Sequence, residues 1–239
     1  MPRAVCIVNV AHEGPGLLGD LLRARGFTVD LLEAWRGEPI PRLADSGDLL
    51  VVMGGPMGVA DLGTPAYPWL LPVAELLRAR QEARLPNVGV CLGCQLLAHA
   101  AGARVEPMRA ADGRRVREVG WGDVDLFADP CTDGLPARLE VLHWHGDACA
   151  LPRGAVLLAS TPACRVQMFR LGRSLGLQFH PEVDGPTAAQ WAVEDAEFVV
   201  AANGEGGVEA LRAVSPEAAE RSRPGRVRLL AQALDAVLA

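Results

Sequence analysis

Cys91 is the residue whose setting points most directly to chemistry. It lies in Asn87-Val88-Gly89-Val90-Cys91-Leu92-Gly93-Cys94-Gln95-Leu96-Leu97-Ala98. A short apolar run leads in and helix-forming residues follow at once, so the spacing predicts strand, sharp turn and helix with Cys91 on the turn. A thiol at a helix N-terminus meets free amides and the positive end of the macrodipole, both of which favour the thiolate. Gly89 and Gly93 leave room for a strained backbone and close packing around it. The competing reading is a buried cysteine that acts as a small core hydrophobe.

A thiol nucleophile needs a base within reach, and the base needs a group to orient it. Of the five histidines, His180 stands out, in Leu175-Gly176-Leu177-Gln178-Phe179-His180-Pro181-Glu182, just after an apolar strand-like run. Pro181 imposes a fixed bend that could aim the Glu182 carboxylate at one imidazole nitrogen while the other faces Cys91. In that arrangement Cys91 attacks, His180 shuttles the proton and Glu182 holds the tautomer. A His-Pro turn that merely starts a helix is the plainer alternative. Gly54-Gly55-Pro56-Met57-Gly58 follows another apolar run, and its amides, with that of Leu92, could bind a developing oxyanion.

These three stretches occur in the order and rough spacing of the class I glutamine amidotransferase domain, which the chain resembles over about residues 3–200. Val141-Leu142-His143-Trp144-His145-Gly146-Asp147 is similar to the His-Gly-Asp loop of GMP synthetase glutaminase domains. The resemblance is nearest to the stand-alone GMP-synthase-like members, some of which are γ-glutamyl peptidases. It implies a flavodoxin-like three-layer α/β sandwich and a γ-glutamyl thioester on Cys91 that water then hydrolyses. It also implies that Gly55 and Leu92 form the oxyanion hole, and that Gly54, Gln95, His145, Gly146 and Asp147 help hold the glutamyl group. Glutamine is the default substrate and no cofactor or metal is called for. A glutathione-like γ-glutamyl peptide is the rival substrate, and a regulatory module without turnover is the non-enzyme alternative. A true amidotransferase would need a separate synthetase subunit to receive the ammonia.

One departure is Cys94, which stands where many relatives carry His. Cys91 and Cys94 have the spacing of a redox pair, so an inhibitory disulfide between them stays open. His143 and His145, two apart on a strand-like run, could share a metal, but without a companion ligand at a recognisable spacing a structural or substrate-loop role is preferred. His12-Glu13 lies on the loop after the first strand and could border the site or be solvated.

Composition removes other chemistries. All 23 basic residues are arginine, so there is no Schiff-base lysine and no Walker-type phosphate lysine. A net charge of -6 argues against nucleic acid as the main partner. No apolar run approaches the roughly 18–20 residues that span a bilayer. The first residues go straight into a strand-like run without a signal peptide, which predicts a cytoplasmic protein with six reduced cysteines.

The elements that must position these residues can be read in outline. Strands are expected at 3–10, 27–32, 48–53 and 88–90, with helices at 17–25, 68–84 and 95–101. That alternation predicts a doubly wound, mostly parallel sheet. From 103 to about 177, short strand-like pieces separated by turn signals predict a mixed or antiparallel extension and a smaller ribbon. One helix is expected at 186–201. After a break at 203–207 comes a helix from 216 to 238, taken as a C-terminal appendage (204–239) on a domain of residues 1–203. That last helix could close the domain or form a homodimer contact.

Overall fold

Alternation along the first strand decides how the layers assemble. The computed structural model describes residues 1–239. In β1 (Arg3–Val8), Ala4, Cys6 and Val8 join one hydrophobic cluster while Val5 and Ile7 join another on the opposite face. The same division runs through β3 (Leu49–Val52), all four of whose residues are buried. A strand apolar on both faces must be covered on both faces, which requires two helical layers. One layer holds α1 (Gly16–Ala24) and α6 (Gly207–Leu238), and the other α2 (Leu70–Glu82) and α3 (Leu92–Ala100).

The remaining strands are β2 (Thr28–Glu33), β4 (Asn87–Val90), β5 (Val105–Pro107), β6 (Glu118–Leu126), β7 (Arg138–His145), β8 (Asp147–Cys149), β9 (Val156–Ser160), β10 (Met168–Leu171) and β11 (Ser174–Leu177). Nine of the eleven form one sheet in the order β2-β1-β3-β4-β11-β10-β9-β6-β7. From β2 to β11 neighbours are parallel, and from β11 to β7 they are antiparallel. A separate ribbon pairs β5 with β8. This is the flavodoxin-like α/β sandwich with its antiparallel extension.

Three local expectations are corrected. The pieces expected at 116–119 and 124–127 are one strand, β6, because its pairing with β7 runs unbroken from Glu118 to Asp125 through Gly120 and Gly122. The helix expected at 186–201 is two, α4 (Gly185–Glu194) and α5 (Ala196–Asn203), divided at Asp195. The last helix begins at Gly207 and passes through Pro216 and Pro224. An internal proline costs a helix about 3 kcal/mol, and here burial offsets it. Leu229, Leu230, Ala233, Leu234 and Val237 belong to the main core, and Gly185 lets α4 approach Pro216 so closely that a Cβ there would lie 2.7 Å from the Pro216 Cα. The segment after residue 203 thus packs into the same core as the first strand. No helix is long and apolar enough to cross a membrane.

Candidate active site

The turn between β4 and α3 is built for close approach. Cys91 has φ 50° and ψ -106°, one of two non-glycine residues with positive φ. Such a conformation costs an L-residue about 1–2 kcal/mol and persists only where surrounding contacts enforce it. Here the Cys91 amide donates to Leu177 O at 2.7 Å, and the Cys91 carbonyl accepts from the Gln95 amide at 3.1 Å. A Cβ on Gly93 would strike the Val52 carbonyl, and one on Gly89 would strike the Gly93 backbone. The two glycines therefore let α3 sit directly on β3 and β4, which brings its first turn beneath the thiol.

His180 follows β11, the strand that pairs with β4, so nucleophile and imidazole emerge from adjacent parallel strands. Its amide donates to Leu142 O at 2.8 Å, tying it to β7. Nδ1 lies 2.8 Å from Glu182 Oε1, with both side chains almost wholly buried. Trp191 packs edge-on against the ring at 5.0 Å. Burial opposes the charged imidazolium, but the Glu182 charge, helped by the neighbouring Cys91 and by the Glu182 hydrogen bond, outweighs it. The pKa of His180 accordingly lies well above the ordinary histidine value. A histidine held protonated beside a thiol is the electrostatic setting in which thiolates form.

These groups face a cavity of about 240 Å³. Its wall includes Cys91, His180, Gly55, Leu92, Gln95 and the stretch from Trp144 to Asp147. The structure therefore gathers most of the sequence-predicted residues around one space. Gly54 sits just behind it, with its α-carbon against the site: a Cβ there would strike the Glu13 carboxylate and come within 3.1 Å of His180 Cε1. Glu182 lies behind His180 and does not line the cavity. Gln95 Nε2 donates to the Asp147 carbonyl and to Gln178 Oε1, both at 3.3 Å. The Asp147 carboxylate pairs with Arg115 at 2.9 Å.

A glutamine amidotransferase class-I family model matches residues 17–197. The chain belongs to that family. Among curated relatives of this class I amidotransferase, a putative glutamine amidotransferase-like protein of Salmonella typhimurium, YfeJ, is 30% identical over 183 residues, covering 74% of each chain. The glutamine-hydrolysing GMP synthase of Thermomicrobium roseum is 39% identical over 137 residues, 56% of this chain and 23% of that protein. The match thus spans under a quarter of the GMP synthase. A glutamine amidotransferase structure from Thermotoga maritima superposes with a TM-score of 0.83 at 28% identity, covering 99% of this chain and 98% of that one.

Several residues around this cavity escape sequence reasoning. Asn9, at the end of β1, donates to Met53 O at 2.9 Å and Gly54 O at 3.1 Å and so holds the glycine turn. Asp195 lines the cavity and accepts from Trp144 Nε1 at 2.9 Å. Arg226, on α6, donates to Pro181 O at 2.8 Å and Val183 O at 2.7 Å. Glu13, which the sequence left between bordering the site and solvation, is buried and lines the cavity.

Glu118 supplies the carboxylate that the sequence could not pair with His143 and His145; the three bring ligand atoms within 4.8 Å of one another. Glu118 also accepts from Thr161 Oγ1 and Gln167 Nε2, each at 2.7 Å, and lies 3.2 Å from His145 Nε2. Burial holds His143 neutral, its pKa lowered to about 4. This network anchors the His145–Asp147 stretch, since His145 Nδ1 lies 3.1 Å from the Asp147 carbonyl. Cys94 is a fully buried free thiol, and burial, reinforced by the neighbouring Cys149, raises its pKa well above the ordinary value.

Proposed function

We propose that the chain hydrolyses a γ-glutamyl amide, with glutamine the default substrate, through a thioester on Cys91. The observation that carries this reading is the Cys91 thiol on a strained strand-to-helix turn, opening into the same cavity as a His180 imidazole whose far nitrogen is 2.8 Å from Glu182. The Cys91 sulfur attacks the γ-carbonyl carbon, and the carbonyl π electrons move to oxygen. The Gly55 and Leu92 amides receive that charge; both residues line the cavity. Collapse re-forms the carbonyl and breaks the C–N bond, and His180 gives its proton to the departing amine. His180 then takes a proton from water as the water oxygen attacks the thioester carbon. The second collapse releases glutamate and returns the sulfur to its starting state. Glu182 holds the imidazole in place through both halves.

Gln95 and the His145–Asp147 stretch are assigned to the glutamyl group, Gly54 to the close backbone approach beside it. When ammonia is the leaving group, a separate synthetase subunit is the partner this reading implies. The test is glutamate release from glutamine by the reduced, isolated protein. Turnover that vanishes in Cys91→Ser supports the reading. Turnover that survives in Cys91→Ser overturns it, as does none in the reduced wild type.

A further inference from the structure

Glu13 has no place in the hydrolytic steps above, yet it is the most unusual charged group in the cavity. The residue is 8% exposed. Its carboxylate accepts no hydrogen bond within the protein, and the nearest basic group, His12 Nε2, stands 4.0 Å away. A buried carboxylate without a partner is costly, and protein interiors rarely keep one that nothing compensates. Glu13 nevertheless opens on the cavity that holds Cys91.

Its position within the cavity is fixed by Gly54. A Cβ on that glycine would meet the Glu13 carboxylate, His180 Cε1 at 3.1 Å and Cys91 Cβ at 3.4 Å. Glu13 therefore stands beside the imidazole, while the Nδ1 side of the ring is taken by Glu182. His180 must hand its proton to the departing nitrogen, so the flank of His180 is the leaving-group side of the site. Asp195 lines the same cavity and raises the cost of ionising Glu13. The cavity's one arginine, Arg115, is already paired with Asp147. The leaving-group side thus offers carboxylates whose nearest charged neighbour, the His180 imidazolium, is already paired with Glu182.

We propose that Glu13, backed by Asp195, is a specificity-determining residue that receives a cationic leaving amine, and that the preferred substrates are γ-glutamyl amides of diamines. The inference rests on the hydrolytic reading above and names its substrate class. A distal ammonium placed against Glu13 would supply the direct ion pair that this carboxylate lacks within the protein. The same field opposes a peptide leaving group that ends in a carboxylate, as in glutathione. Hydrolysis of such an amide adds water across the γ-glutamyl C–N bond and yields glutamate and the free diamine. No acceptor protein is needed.

The test compares γ-glutamyl-1,4-diaminobutane with its isostere lacking the distal charge, γ-glutamyl-n-pentylamide. Both carry the same glutamyl α-ammonium, so a difference between them reports on the leaving group alone. Binding to the full-length Cys91→Ser protein is measured by calorimetry and needs no turnover, which separates this inference from the chemistry it rests on. The diamine amide is expected to bind at least tenfold more tightly than the pentylamide. In Glu13→Gln/Cys91→Ser that ratio should fall to within about twofold, and Asp195→Asn should lower it partway. Equal affinities for the two amides overturn the proposal, as does no binding of either, or a preference that survives Glu13→Gln. In the wild type, kcat/KM should follow the same order, with glutathione last.

Discussion

Arg226 donates to the carbonyl of Pro181 at 2.8 Å, and a second bond to Val183 O at 2.7 Å means that one guanidinium brackets Glu182 from both sides. The same side chain also donates to Ala219 O at 2.8 Å and is 2% exposed. The last helix is thus bolted to the turn that carries the carboxylate partner of His180. Arg226→Met should leave these carbonyls unpaired and cost about 3 kcal/mol, since bonds to charged groups contribute roughly 1.5–3 kcal/mol each. Arg226→Lys, which keeps the charge but loses the fork, should fall between. Urea unfolding reads the stability. Glutamate release should drop more in Met than in Lys, and equal activity in all three proteins would uncouple α6 from the site.

Cys91→Gly should be more stable than Cys91→Ala. In most settings glycine is the less stable of the two, but at φ 50° the Cβ is the liability. The order should reverse, by about 1 kcal/mol. Thermal unfolding of the two variants decides it, and the usual order would mean that the turn is relaxed.

Glu13→Gln should stabilise the empty protein at alkaline pH. Burial, with smaller contributions from Glu182 and Asp195 against the opposing pull of His180, raises this carboxyl from 4.5 to about 7. A raised pKa means that the folded chain holds the proton more tightly than the unfolded one. Its contribution is therefore fully present below pH 4.5 and is lost as pH rises through 7. The full loss corresponds to about 3 kcal/mol as an upper figure. The gap between Glu13→Gln and wild type should open between pH 4.5 and 7 and then level off. A gap that does not change with pH would refute this.

Glu182→Gln should move the alkaline limb of the activity profile downward. His180 is held well above its ordinary value against burial, chiefly by the Glu182 charge. Without that charge burial dominates and the imidazolium is lost at lower pH. In stability terms, the wild-type pair contributes fully below the unfolded histidine value of about 6.5. That contribution disappears as pH rises through the higher folded value. The variant's deficit should therefore shrink with increasing pH, and a deficit that grows would contradict the assignment.

Gly93→Ala should be destabilising by about 3 kcal/mol, because its methyl would enter the Val52 carbonyl of a central strand and neither backbone can retreat. Circular dichroism with urea titration measures it. A cost below about 1 kcal/mol would show that α3 can shift outward.

What the sequence disclosed was local. Gly89, Cys91 and Gly93 lie within five residues and signal the tight turn by themselves, and His180-Pro181-Glu182 carries its own bend. The parallel half of the sheet was legible because strands such as Leu49–Val52 are apolar on both faces. Asp195, Glu118 and Arg226 were not legible as site residues, because each reaches its place through tertiary packing from a separate element, and Glu13 was legible only as a loop residue that could border the site or be solvated. Glu118 meets His145 only through the β6–β7 register. Asp195 reads as one more helical residue until the break between α4 and α5 turns it toward Trp144. Pro216 was misleading for a related reason: it reads as the start of a helix, yet it lies inside α6, where buried contacts override its local cost.

The placement of β4 and β11 has a consequence for dynamics. They occupy the fourth and fifth places in a nine-stranded sheet, with strands and helices on every side. Amide protons there can exchange only through openings close to global unfolding, whereas edge strands such as β2 exchange through cheaper local ones. Cys91 and His180 therefore hang from the slowest-breathing part of the molecule. Because the strands that carry them are distant in sequence, their pairing is a long-range event that must await closure of a large loop. In refolding, the fluorescence of Trp191 beside His180 should mature late, after helical signal has largely returned.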